Sequence, residues 1–121
     1  MDPLACEKIV FRALRKSWVN PGTGFVAATA FMLRESPKDD DGLSVGTISA
    51  EQSVTVLSTH AGCASLHVGK IRDIGLDVVP DEESHANITG IPRNDVARAE
   101  FLAGQLAKMA RHIPVALNKA K

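Results

Sequence analysis

The run His85-Ala86-Asn87-Ile88-Thr89-Gly90 alternates polar and apolar residues. Side chains of a strand point to opposite faces with period two, so His85, Asn87 and Thr89 share one face and Ala86 and Ile88 the other. Residues 63–68 repeat the pattern: Ala64, Leu66 and Val68 face one way, and Cys63, Ser65 and His67 the other. Leu43-Ser44-Val45 and Leu76 to Val79 read as further short strands. The apolar stretch from Phe25 to Leu33 lies between turns and predicts a strand over part of its length. The acidic run Pro80 to Ser84 reads as a loop, and Ser36 to Gly42, with Pro37 and three consecutive aspartates, as a charged turn.

Helical spacing marks other segments. Cys6, Ile9, Val10, Ala13 and Leu14 recur at helical intervals after Asp2-Pro3, a suitable cap and first turn, which predicts a helix over about 3–17. Lys8, Arg12, Arg15 and Lys16 then fill its surface, and Asn20-Pro21-Gly22 stops it. Ser49 and Gln52 fit a capping box opening a helix over about 50–59. Residues 69–74 read as a short helix with Gly75 at its left-handed end. Asn94 or Asp95 caps a last helix whose stripe is Val96, Ala99, Leu102, Leu106, Met109 and Ile113, ended by Pro114. Residues 115–121 read as a frayed basic tail. The order of elements predicts one α+β domain: a small mixed, largely antiparallel sheet of about five short strands, with three main helices covering one face.

Length and composition narrow the class. A chain of 121 residues is one domain and buries roughly two-thirds of its unfolded surface without staples. Four Phe, one Trp and no Tyr weaken any model that needs an aromatic platform for single-stranded nucleic acid. No apolar run approaches the roughly 20 residues of a membrane span, and the charged N-terminal stretch is not a signal peptide. Cys6 and Cys63 read as reduced thiols, which places the protein in the cytoplasm.

The formal net charge is zero but uneven. Residues 1–20 carry four bases against two acids, residues 34–83 four against ten, and residues 93–121 six against two. The basic ends read either as solvated helix faces or as a patch for nucleic acid or an acidic partner, built on Lys8, Arg12, Arg15 and Lys16. Trp18 beside them is either a core anchor or an interface residue.

Candidate chemistry concentrates on the polar sheet face. Ser44, Ser65, His67, Asp77, His85, Asn87 and Thr89 all fall on it if the strands pair. In an enzyme, His67 and His85 would be general acid and base on a phosphodiester. Asn87 and Thr89 would orient a phosphate or ribose, with Ser44, Ser65 and Asp77 as secondary contacts. The alternative is the solvated side of an ordinary antiparallel sheet. His60, Cys63 and His67 lack paired metal-ligand spacing, so no metal site is assigned, and no motif implies a cofactor. Gly69-Lys70, Gly22-Thr23-Gly24 and Asp39-Asp40-Asp41 lack full phosphate-loop, nucleotide or calcium signatures. No Gly-x-Ser-x-Gly elbow marks a serine nucleophile.

Phe11-Arg12-Ala13 with Trp18, Ala30-Phe31 before Arg34, Asp41-Gly42-Leu43-Ser44-Val45, Leu76-Asp77-Val78-Val79 and His85-Ala86-Asn87-Ile88 with Gly90 form an ordered series. In these the chain resembles a group of small bacterial proteins of unassigned activity, over about residues 11–92 and without the last helix. The resemblance implies a bacterial origin and a recurring motif around His85, and brings no reaction. The leading expectation is a small non-catalytic interaction or accessory module, binding a partner protein or a second copy of itself, in a toxin or defence system. The alternatives are a histidine-dependent enzyme acting on RNA or a nucleotide, and a nucleic-acid-binding module using the basic ends.

Overall fold

A computed structural model describes residues 2–36, 38–39, 41–57 and 59–115. Six strands are present: β1 (Ile9–Ala13), β2 (Leu43–Gly46), β3 (Cys63–His67), β4 (Asp77–Glu82), β5 (His85–Thr89) and β6 (Arg111–Ile113). They form one sheet in the order β4-β5-β2-β1-β3-β6. Every pairing is antiparallel. Three α-helices accompany it: α1 (Ala50–Ser53), α2 (Val68–Asp73) and α3 (Val96–Met109). The fold is α+β, with one strand more than expected.

The N-terminal segment departs most from its sequence pattern. The helix expected over 3–17 is instead β1, followed by a short 3₁₀ turn, Lys16–Trp18. Ile9-Val10-Phe11 is a β-branched and aromatic run, and β1 pairs with β3 at five consecutive positions. That ladder outweighs helical spacing, since such residues suit a pleated, half-buried surface and propensity is a weak prior. Val10 and Arg12 consequently point into the protein, so the basic residues do not share one solvated helix face.

The strand expected within 25–33 is likewise a 3₁₀ segment, Ala28–Phe31, with Ala30 and Phe31 fully buried. Ser49 does cap α1, accepting from the Gln52 N–H at 3.1 Å, but the helix is short and passes into a 3₁₀ turn, Val54–Val56. α2 closes as expected, with Gly75 at φ +89°. Asp95 caps α3 through the Arg98 N–H at 3.0 Å. The expected stripe runs through Ala99, Leu102 and Leu106, but Ile113 does not belong to it. The chain leaves α3 at Ala110, and Arg111–Ile113 adds a sheet edge beside β3. Gly62 makes that approach possible, because a Cβ there would meet the Ile113 carbonyl oxygen at 2.2 Å.

The main core lies on one side of the sheet. Val10, Leu43, Val45, Leu66 and Ile88 meet Leu102 and Leu106 of α3 and Phe31 of the 3₁₀ segment. A smaller cluster of Ala50, Val54 and Cys63, with Phe11 and Ile113, lies on the other side. α1 therefore covers the middle of the face that alternation marks as polar. Gly46 permits this, since a Cβ there would fall 2.0 Å from Ser53 Oγ. No helix among the described residues is long and apolar enough to cross a membrane. Residues 116–121 of the expected basic tail, Pro37 and the middle aspartate of the 39–41 run lie outside the described residues.

Candidate functional site

The site begins with a defect in strand pairing. β1 and β2 register at one pair, Phe11 with Gly46. The Arg12 side chain bridges the neighbouring segments instead. Its Nε donates to the Ala30 carbonyl at 2.6 Å and its Nη1 to the Ser44 carbonyl at 2.9 Å. Arg12 is 5% exposed. Burial pulls its guanidinium down to about 10, and it remains a cation at neutral pH. Beside it opens a cleft of about 370 Å³, whose walls include Arg12, Arg15, Trp18, Ser44, Gln52 and His85.

β5 and β2 bring the reactive groups together. Ser44 is the register partner of Asn87 and Gly46 that of His85, so Ser44 and His85 are diagonal neighbours on one face. Ser44 Oγ is hydrogen-bonded to His85 Nε2. On the other side of the ring, His85 Nδ1 lies 2.6 Å from Asp81 Oδ1. Asn87 Nδ2 donates to Asp81 Oδ2 at 3.0 Å. The result is a chain Asn87–Asp81–His85–Ser44, ending in a hydroxyl at the cleft.

Asp81 owes its position to a bulge. The β4–β5 register shifts between Pro80 and Glu82, leaving Asp81 as the extra residue of β4. Bulges re-aim side chains, and β4 is an edge strand, where a proline within the strand is tolerated. The hydrogen bond from His85 holds the Asp81 carboxyl below its usual range; Asn87 adds to the effect. An ionised carboxylate only accepts, so Nδ1 carries the proton when the ring is neutral and the Nε2 lone pair faces Ser44. Asp81, His85 and Ser44 thus stand in the order orienter, base and hydroxyl.

The other expected site residues are dispersed. His67 shares the face of His85 but lies three strand spacings away across β2 and β1, about 14 Å, and a further two residues along the strand direction. Two imidazoles so placed do not share hydrogen-bond reach of one reacting centre. His67 Nδ1 is buried without a hydrogen-bond partner. Thr89 lies four residues along β5 from His85, about 13 Å, opposite Asp77. Asp77 is engaged by Arg72 Nε at 2.9 Å, which keeps its carboxyl low. Ser65 pairs with Phe11. None of these four lines the cleft. Asn87 is buried and acts through Asp81.

The basic residues also separate. Arg12 and Arg15 reach the cleft, their guanidinium carbons 5.4 and 5.5 Å from the centre of the Trp18 ring. Trp18 is half-buried and packs against the core. Lys8 and Lys16 do not line the cleft. Arg34 does, held by Asp39 through Nε at 3.0 Å and Nη2 at 2.9 Å. Burial raises the Asp39 carboxyl, but the hydrogen bonds from Arg34 outweigh it, and the net shift is downward. Among the described residues, no group of three His, Cys, Asp or Glu converges on a metal position. Cys63 is fully buried and its thiol is pushed up to about 11, chiefly by burial.

Asp81 and Arg34 had no site role in the sequence. Residues 80–84 read as a loop in the sequence, whereas β4 continues to Glu82; the signal that could have marked Asp81 is Pro80 directly after the Leu76–Val79 strand, a residue that suits an edge or bulge. Arg34 had none beyond its place after Phe31. Comparison with family models, curated proteins and solved structures finds no match.

Proposed function

We propose that the protein is a small histidine-dependent enzyme in which His85 is the general base, Ser44 the hydroxyl it activates and Asp81 the residue that orients the ring. The observation carrying this reading is the Asp81–His85–Ser44 hydrogen-bond chain opening onto a cleft. Ser44 Oγ attacks an electrophilic carbonyl carbon or phosphorus, and His85 Nε2 takes its proton. The Oγ bond forms as the leaving-group bond breaks, and His85 returns the proton to the departing oxygen. Water then repeats the sequence and releases Ser44. His67 has no part in this chemistry. The test is turnover of a panel of activated acyl and phosphate esters by the protein and its S44A and H85A variants. Turnover lost in both variants supports the enzyme; rates equal in all three proteins remove it.

A second reading, the non-catalytic interaction module, draws on exposed apolar side chains. Phe25 is 75% exposed, Val96 66% and Phe101 54%. A protein partner or a second copy would cover such residues. Sedimentation of the protein with and without F25S and F101S checks it: self-association abolished by the substitutions supports the homo-oligomer form, and an unchanged monomer opposes that form.

A further inference from the structure

We propose that the cleft binds the phosphate group of a phosphomonoester, held by the guanidinium groups of Arg12 and Arg15 beside Ser44. The inference rests on the site described above and names its ligand class. Three arginines, Arg12, Arg15 and Arg34, are among the residues that line the cleft. The Asp39 carboxylate is taken by Arg34, and it reaches Arg12 only through space. Arg12 and Arg15 have no carboxylate in contact among the described residues. Arg12 and Arg15 are therefore two cations at the cleft with no contacting carboxylate among the described residues, and Glu82 lines the same cleft.

Arg12 is the more telling of the two. A buried charge is costly unless it is paired and hydrogen-bonded. Two of its five donors are spent on the carbonyls of Ala30 and Ser44, which fix the plane of the fork. The remaining donors belong to a pre-oriented guanidinium, the group best suited to phosphate oxygens. Because Arg12 donates to the backbone of Ser44 itself, the anion site and the serine hydroxyl are tied to one residue. Arg15 is exposed and stacked on Trp18, which restrains it at the mouth of the cleft. Two cations with no carboxylate in direct contact match the double charge of a phosphomonoester better than the single charge of a carboxylate. The Trp18 ring is already engaged by both guanidiniums, so the phosphate, rather than a stacked base, supplies recognition.

The experiment is NMR and calorimetric titration of the full chain with inorganic phosphate, adenosine 5′-monophosphate, adenosine and acetate. The expected result is binding of phosphate and the nucleotide, with shifts at Arg12, Arg15 and Ser44, and weak or no binding of adenosine and acetate. R15A, which removes no internal hydrogen bond, is expected to weaken phosphate about tenfold or more. No response to phosphate or the nucleotide overturns the inference. So does acetate binding as tightly as phosphate, or R15A binding phosphate unchanged. Phosphate binding without ester turnover leaves the anion site standing and removes the enzyme; turnover of neutral acyl esters without phosphate binding does the reverse.

Discussion

Asp81 carries its effect through one ring nitrogen. With the carboxylate in place, the neutral His85 ring keeps its proton on Nδ1 and offers Nε2 to Ser44. D81N replaces an acceptor-only group with one that also donates, so the ring is free to adopt the opposite tautomer. Ester turnover is expected to fall by about 10²–10⁴-fold, the usual weight of a positioned acid–base group. The downfield Nδ1 proton resonance should vanish with it; a retained resonance with lost activity would mean that Asp81 acts in another way. Arg12 makes a separate prediction, on stability. R12A strips hydrogen bonds from the Ala30 and Ser44 carbonyls, at about 1–3 kcal/mol for each buried group left unsatisfied. Urea unfolding is expected to show a loss of at least ~2 kcal/mol, and a loss near zero would mean that water replaces the guanidinium. At this scale the sequence was partly legible. His85, Asn87 and Ser44 were visible through strand alternation. Arg12 was visible as a basic residue but was assigned to a solvated helix surface, because residues 3–17 have helical spacing.

The elements that escaped the sequence pattern are those whose conformation depends on distant partners. β1 is a strand because β3 pairs with it, and Arg111–Ile113 is a strand because β3 offers its other edge. Neither fact is local. β2, β3, β5 and α3 were legible because alternation or a capped apolar stripe specifies each within its own length. α1 illustrates the mixed case. Its cap is local and was read correctly, but its place on the polar face depends on Gly46. A Cβ at that position would meet Ser53 Oγ at 2.0 Å and Ser53 Cβ at 2.9 Å. G46A is expected to destabilise the fold by about 1–3 kcal/mol, the usual cost of overpacking. It should also disturb the cleft, which Gln52 and Ser53 line. The check is a double-mutant cycle with S53G. If the clash is the cause, G46A costs much less in that background; equal costs in both would place the strain elsewhere.

The whole molecule is poised to lose stability in acid. Its formal charges balance at neutral pH, fourteen against fourteen, and its acids are concentrated in the middle of the chain. Asp39, Asp77 and Asp81 all have carboxyls below the ordinary value of 3.8. A depressed carboxyl favours the fold only while it is ionised. The contribution is therefore complete above about pH 4 and lost as pH falls through the lower native value. Asp77 and Asp81 are solvent-exposed and their ion pairs are weak supports. Asp39 is different, with a side chain only 3% exposed and three hydrogen bonds from Arg34, two from its guanidinium and one from its backbone N–H. It also sits at φ +58°, a left-handed conformation that asparagine tolerates as aspartate does. D39N consequently removes the charge while leaving the turn. Urea midpoints measured from pH 7 down to pH 3 are expected to fall steeply below pH 4 in the parent chain. In D39N the midpoint should start lower and fall less. Parallel curves would mean that the Arg34–Asp39 pair does not hold the turn before β2, and that acid acts through general repulsion among the remaining positive charges.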